Sequence, residues 1–228
     1  SNLNTPFVCM DEAFLTKEIA APRGLVFSSV LWNVGETITV KFLNGSTLLQ
    51  DTVKHYARQW EKHANVHFQF IERGNAKIRI TFEEHNLVSW SYIGTRAKYV
   101  PQHKPTMLLA FAESTSEATL SRITLHEFGH ALGLLHEHQH PQHNIQWNEP
   151  AVYDYYRQIG WSDGLIDYYI FNKYSTSITQ FCEHDTASIM HYPIPNSFTL
   201  NDYQVGINDT LSASDIFFIK KLVLRQIS

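Results

Sequence analysis

The sequence has few cysteines, no long apolar run and no excess of positive charge, and each absence excludes a class of protein. Two cysteines in 228 residues, Cys9 and Cys182, are too few for a disulfide scaffold. No apolar run approaches the length of a membrane span, so we expect no membrane partner. The formal net charge of -4 leaves no basic field for nucleic acid, so we expect no nucleic-acid partner either.

The rest of the composition is that of an ordinary globular protein. Hydrophobic residues make up 43% of the chain and charged residues 18%, and the length suits one sizeable domain or two small lobes. No signal peptide is visible, but Ser1-Asn2 is typical of a cloning remnant, so a leader could have been removed. We expect a monomer that is secreted, or that its host exports as an effector.

The stretch from His126 to His136 fits the pattern H-E-x-x-H-x-x-G-x-x-H. Residues four apart on a helix lie about 40° apart around its axis, so His126 and His130 point the same way. Gly133 can adopt the left-handed conformation that ends a helix, after which His136 can approach the same point. Neutral imidazoles are good ligands for Zn²⁺, and a catalytic zinc ion usually takes three protein ligands. The stretch therefore predicts a zinc centre held by the three histidines.

Glu127 directly follows the first of these histidines and would lie beside the metal without binding it. A carboxylate in that place can take a proton from the water that the metal activates. The plain alternative is a solvated, histidine-rich helix, since the chain has 13 histidines. However, apolar residues such as Phe128 and Leu132 fill the motif, and a solvated helix would not carry them.

This motif resembles that of the metzincin zinc endopeptidases, whose second signature is a methionine-containing turn further along the chain. Here the segment Ser188-Ile189-Met190-His191-Tyr192 follows the third histidine. Its Ser-x-Met-x-Tyr pattern is similar to that of the astacin family, as is Glu137 directly after His136. The resemblance implies that Tyr192 is an additional zinc ligand that swings away to stabilise the transition state. It also implies that Met190 packs beneath the metal as a polarisable floor.

The resemblance implies an α+β fold, the two-lobe catalytic domain of metzincins. A mixed twisted sheet with two long helices would form the N-terminal lobe, residues 25–133. An irregular lobe with a terminal helix would follow, residues 134–228. Residues 1–24 would be an N-terminal segment, either a pro-region or an extension. The implied activity is zinc-dependent hydrolysis of peptide bonds in protein or peptide substrates that bind in an extended conformation.

Cys9 has three interpretations. Astacins carry a propeptide whose acidic residue or cysteine blocks the zinc, so a Cys9 thiolate could occupy the open metal position and hold the enzyme latent. A disulfide between Cys9 and Cys182 and a pair of unpaired thiols are the alternatives. Astacins from animals usually carry two disulfides in this domain. The chain therefore looks more like a bacterial or fungal branch of the family.

Periodicity predicts the elements around the motif. Strands are predicted at 36–42, 66–71, 77–82, 90–93 and 106–111. Helices are predicted at 47–63, 116–133 and 149–159, with helix and loop over 161–174. The segment Ser212-Ala213-Ser214-Asp215 resembles a capping signal before a final helix that runs to about Leu224. The resemblance favours 106–111 as the edge of the cleft, where a substrate would add through backbone hydrogen bonds, and the alternative is an interior strand. The final helix would pack through Ile216, Phe217, Ile219 and Leu222.

Two groups outside the motif have a plain and a functional interpretation. The histidines of 137–143 could bind a second metal, but histidines on a loop usually remain solvated, which disfavours that site. The aromatic side chains of Tyr168, Tyr169 and Phe171 either pack the C-terminal lobe or line a specificity pocket.

The sequence is also compatible with two rival functions. The first is a metzincin protease of another branch. Tyr192 disfavours a matrixin-like protease, and the absence of glycine-rich calcium repeats disfavours a serralysin-like protease. An inactive metzincin-like module that only binds peptides is disfavoured by Glu127, because binding does not require a base.

Overall fold

The computed structural model describes residues 9–11, 30–86, 88–174 and 183–224. The predicted boundary near residue 24 and the second cysteine, Cys182, lie outside these residues. No helix in the described ranges combines the length and the apolar character that crossing a membrane would need.

A mixed sheet forms the N-terminal half of the molecule. Its strands are β1 (Cys9–Asp11), β2 (Glu36–Phe42), β3 (Val66–Phe70), β4 (Ile78–Phe82), β5 (Ser89–Ser91) and β6 (Met107–Leu109). Across the sheet the order is β1-β5-β6-β4-β2-β3. Strands β5 and β6 are antiparallel, and the other neighbouring strands are parallel. The strand predictions for this half are confirmed, with differences of a few residues at the ends.

The prediction that 106–111 forms the cleft edge is wrong. Strand β6 pairs with β4 on one side and with β5 on the other, so it is an interior strand. All three of its side chains are buried, and a strand buried on both faces has an uninterrupted apolar sequence such as Met107-Leu108-Leu109. On this side the sheet continues through the short strand β5 and ends at β1, which comes from the N-terminal segment.

Two long helices pack on the sheet, as predicted. They are α1 (Thr47–Glu61) and α2 (Glu117–Leu132). Ser46 and Ser116 cap them, each with a side-chain oxygen that accepts a backbone N–H of the first turn. The helices are joined by the Trp60 indole, which donates a hydrogen bond to the Leu125 carbonyl at 2.9 Å. Strand β3 also contacts α2, because Phe68 and Phe128 pack edge to face in the core.

The C-terminal half consists of short helices and loops. It contains α3 (Glu149–Gln158), α4 (Asp163–Ile166), a π-helical turn (Asp167–Phe171) and α5 (Ala213–Leu224). Short 3₁₀ turns lie at Glu137–Gln139 and Asn196–Phe198, and one more lies in the N-terminal half at Gly94–Tyr99. The predicted two-lobe α+β fold is confirmed.

The prediction for the packing face of α5 is partly wrong. Ile219 is fully buried as expected, but Phe217 is 60% exposed. Asp215 takes an inward position instead and is only 6% exposed. This helix therefore contacts the lobe partly through a carboxylate, which an apolar pattern does not predict.

Candidate active site

Helix α2 and the turn after it place the motif histidines in the interior. His126, Glu127, His130 and His136 are each at most 1% exposed. Gly133 ends the helix with φ 108°, the left-handed conformation predicted for it. The chain then turns back, and His136 lies beside His130 with their Nε2 atoms 3.0 Å apart.

The orientation of these rings fits a metal ion. The Nδ1 atoms of His126 and His130 lie 2.8 Å from the carbonyl oxygens of Ile189 and Leu134. Since a carbonyl only accepts, both Nδ1 atoms donate, and each neutral ring presents the lone pair of Nε2. Burial lowers the pKa of His130 to about 4, so this ring is neutral at neutral pH. The donor set is therefore the one that Zn²⁺ prefers, and the three histidines can hold the ion.

Cys9 belongs to the same group of ligand atoms. Its sulfur and one nitrogen from each of the three histidines all lie within 4.8 Å of one another. Within the described ranges no other set of three or more histidine, cysteine or acidic side chains converges in this way. Three imidazoles and a thiol match the four-coordinate geometry of a zinc site with no open position.

Glu127 lies beside this group and is completely buried. Burial raises the pKa of its carboxyl group well above the ordinary range, and the Cys9 thiol partly opposes this shift. No nitrogen or oxygen donor of the described residues hydrogen-bonds to either carboxylate oxygen. The Glu127 carboxyl group is therefore a buried acid–base group that accepts no hydrogen bond from a nitrogen or oxygen donor of the described residues.

The methionine turn packs directly against α2. A Cβ atom added at Gly129 would lie 2.4 Å from the Met190 sulfur, so the two residues are in close contact. The Asp215 carboxylate holds the turn from the other side, because it accepts hydrogen bonds from the Ser188 hydroxyl at 2.6 Å and from the Ile189 N–H at 2.8 Å. Sequence reasoning missed this role of Asp215, for which the capping pattern before α5 was the only signal.

Tyr192 contacts the N-terminal segment. Its hydroxyl accepts a hydrogen bond from the Cys9 N–H at 3.1 Å and donates one to the Cys9 carbonyl. The ring stacks on His138, with the ring centroids 4.2 Å apart. His138 in turn donates to the Tyr169 carbonyl. His138 was not predicted to have a role at this site, and its position two residues after His136 was the available signal.

The expectation that the histidines after the motif are solvated is wrong. His138, His140 and His143 are at most 5% exposed. The Nδ1 atoms of His140 and His143 accept the backbone N–H groups of Gln142 and Ile145, so these side chains satisfy the backbone of a buried turn. Local polarity suggested a solvated loop, but these local hydrogen bonds permit burial.

The aromatic segment after α3 packs the C-terminal lobe. Tyr169 is 1% exposed and contacts Trp161. Phe171 packs edge to face on Trp147, and Tyr168 lies partly buried against the same core. The packing interpretation is therefore the one that fits the structure.

Comparison with known proteins identifies the family. Residues 28–222 match the Astacin peptidase family. A structure of myroilysin is 43% identical with a TM-score of 0.84, over 89% of this chain and 99% of that chain. A crystal structure of myroilysin is 41% identical with a TM-score of 0.70, over 99% of this chain and 94% of that chain. A search of curated proteins gave no match.

A more distant similarity concerns the fold alone. High choriolytic enzyme 1, a hatching enzyme zinc-protease from Oryzias latipes (medaka fish), is 20% identical with a TM-score of 0.59. The alignment covers 86% of this chain and 95% of that chain. The family match spans both halves of the fold and includes the three motif histidines, Glu127 and the methionine turn, whereas Cys9 precedes the matched residues. The chain therefore belongs to the astacin family of peptidases and is a zinc metalloendopeptidase.

Proposed function

We propose that this chain cleaves internal peptide bonds of extended protein substrates, with Glu127 as general base and with His126, His130 and His136 as the zinc ligands. The observation that carries the proposal is the convergence of the three imidazoles beside a buried carboxyl group. A zinc ion held there supplies a Lewis acid that polarises the scissile carbonyl and makes a water molecule acidic near neutral pH.

Glu127 is suited to moving a proton. Its pKa is raised by burial, so its carboxylate has a high affinity for a proton taken from water. Because no nitrogen or oxygen donor of the described residues binds the carboxylate, it is not engaged in holding the fold. In the proposed reaction the same group then passes the proton to the leaving amine.

Tyr192 is proposed to stabilise the transition state and to be an additional zinc ligand between turnovers. Its hydroxyl donates to a backbone carbonyl of β1, which supports a role as donor to a carbonyl of a bound chain. Replacement by phenylalanine removes only this hydroxyl. In the Cys9→Ser background, which should be active, we expect Tyr192→Phe to lower kcat by about 10²–10³-fold, the usual cost of losing one oxyanion donor, with the zinc content kept. An unchanged kcat would remove Tyr192 from the mechanism.

Strand β5 is proposed as the binding surface for substrate, because it would be the edge of the sheet if β1 were displaced. An extended peptide can add to such an edge through backbone hydrogen bonds. Strand β1 already pairs there, with Cys9 opposite Ser89 and Asp11 opposite Ser91. A substrate would therefore have to replace β1.

The same contacts support latency through Cys9. Its sulfur lies among the zinc ligands, its backbone is bound by Tyr192, and its strand covers β5. We expect Cys9→Ser to cleave peptides without proteolytic activation, because a serine hydroxyl is a much weaker zinc ligand than a thiolate. Cys182→Ser is the matched control and should stay latent. Equal activation of both variants would favour the disulfide interpretation instead.

A peptide-library digest read by mass spectrometry tests the activity. Cys9→Ser should cleave internal bonds, lose this activity after zinc removal and regain it with added Zn²⁺. No cleavage by the zinc-loaded variant would support the alternative of an inactive metzincin-like peptide-binding module. A secreted or exported monomer without membrane or nucleic-acid partners remains a prediction.

A further inference from the structure

Five histidines form a second cluster in the C-terminal half, which contacts Tyr192 through His138. The C-lobe histidine cluster consists of His138, His140, His143, His184 and His191. Their ring centroids lie 5.1 Å apart for His184–His191, 5.8 Å for His140–His184 and 6.2 Å for His143–His184. The proposed reaction uses none of these rings as a zinc ligand.

One pair in this cluster has nearly the same separation as two of the proposed zinc ligands. The Nε2 atoms of His184 and His191 lie 2.9 Å apart. The corresponding distance between His130 and His136 at the active site is 3.0 Å. Two ring nitrogens approach this closely when they share a proton or when both face one cation.

The ring of His191 is held in the way that orients a metal ligand. Its Nδ1 lies 2.7 Å from the Tyr192 carbonyl oxygen and must donate to it. The neutral ring therefore presents the lone pair of Nε2 toward His184. His126 and His130 are held by the same kind of Nδ1–H to carbonyl hydrogen bond at the active site.

The remaining positions around such an ion would belong to water. The Nδ1 atoms of His140 and His143 already accept backbone N–H groups, so their neutral rings carry the proton on Nε2 and are not ligands in this arrangement. The Asp185 carboxylate is engaged as well, because it accepts from the Ala187 N–H and the Ser212 hydroxyl. His191 is buried, whereas His184 is partly exposed, which leaves a side open to solvent.

We propose that His184 and His191 form a second, weaker binding site for a divalent ion that prefers imidazole ligands, such as Zn²⁺. Two protein ligands and water give lower affinity than the three histidines of the active site. His191 would bind the second ion through Nε2 and donate its Nδ1–H to the carbonyl of Tyr192. This proposal does not depend on the proposed hydrolytic mechanism.

Equilibrium dialysis of the full chain against increasing Zn²⁺, with bound metal measured by mass spectrometry, tests the proposal. The wild type should retain one tightly bound zinc ion and take up one further, exchangeable ion. Losing even an outer partner of a metal ligand costs about 10–100-fold in affinity, so His184→Gln should weaken only the second ion by more than about tenfold. His184→Cys should restore its binding, because a thiolate also ligates zinc.

The matched control is His85→Gln, since the His85 side chain is 94% exposed and lies outside the cluster. It should bind two ions as the wild type does. Retention of the tight ion by every variant shows that the fold and the active site are intact. The proposal is overturned if the wild type binds a single ion, or if His184→Gln binds the second ion with unchanged affinity. The two rings would then be joined by a shared proton and not by a metal ion.

Discussion

The contact between Gly129 and Met190 makes a specific prediction for Gly129→Ala. The added Cβ would lie 2.4 Å from the Met190 sulfur and 3.4 Å from both the Met190 methyl carbon and Cζ2 of Trp60. Alanine is favoured over glycine inside a helix by about 1 kcal/mol. Overpacking of a filled core costs about 1–3 kcal/mol. We therefore expect the free energy of unfolding to fall by up to about 2 kcal/mol, and the zinc affinity to fall because the methionine turn is displaced.

Urea unfolding of the zinc-free protein and a zinc competition assay measure the two effects. A double-mutant cycle with Met190→Leu isolates the contact. If the added methyl group collides with the sulfur, the two substitutions should change the free energy of unfolding non-additively, with a coupling of about 0.5–3 kcal/mol. The reasoning is refuted if Gly129→Ala is about 1 kcal/mol more stable than the wild type, the value for helix propensity alone. Additive effects of the two substitutions would also contradict it.

Three further outcomes follow from the structure. Arg79 is fully buried, and its guanidinium donates hydrogen bonds to four backbone carbonyls. Arg79→Met should lower the free energy of unfolding by more than about 3 kcal/mol, measured in urea, because those carbonyls lose a charged donor. Asp215→Ala should cost about 1–3 kcal/mol, because the Ser188 hydroxyl and the Ile189 N–H lose their acceptor. Burial raises the pKa of Asp215, so the folded state binds this proton more tightly than the unfolded state does. The stabilisation from this proton is lost as the pH rises through the raised pKa. Asp215→Ala should therefore lower the free energy of unfolding more at low pH than at high pH. In the Cys9→Ser variant, chelation of zinc should lower the melting temperature as well as abolish cleavage, and added Zn²⁺ should restore both. A melting temperature unaffected by chelation would argue against the metal site.

The parts of the fold that depend on neighbouring residues could be predicted from the sequence. Ser46 and Ser116 cap their helices because a hydroxyl in that place reaches a backbone N–H three residues later. Gly133 ends α2 because glycine has no Cβ to oppose a positive φ. The spacing of the motif histidines then brings three imidazoles together, as the motif predicts.

The parts that depend on distant contacts could not be predicted in this way. Strand β6 is interior and β5 lies next to β1 because of how the strands are ordered in the sheet. The residue pattern of a three-residue strand does not indicate its neighbours. Tyr192 binds the backbone of Cys9 across 183 positions of sequence. Phe217 is exposed because α5 turns Asp215 toward the methionine turn. In each case tertiary contacts decide between local alternatives.

The proposed mechanism depends most directly on Glu127, and the decisive measurement compares Cys9→Ser with the double variant Cys9→Ser/Glu127→Gln. Both proteins are loaded with Zn²⁺, their metal content is measured, and kcat/KM is determined on a peptide that the single variant cleaves. General base catalysis typically contributes about 10²–10⁴-fold, so we predict that the double variant keeps one zinc ion and loses kcat/KM by that factor. Cleavage by the double variant within about tenfold of the single variant, at equal zinc content, would contradict the assignment of Glu127 as the base.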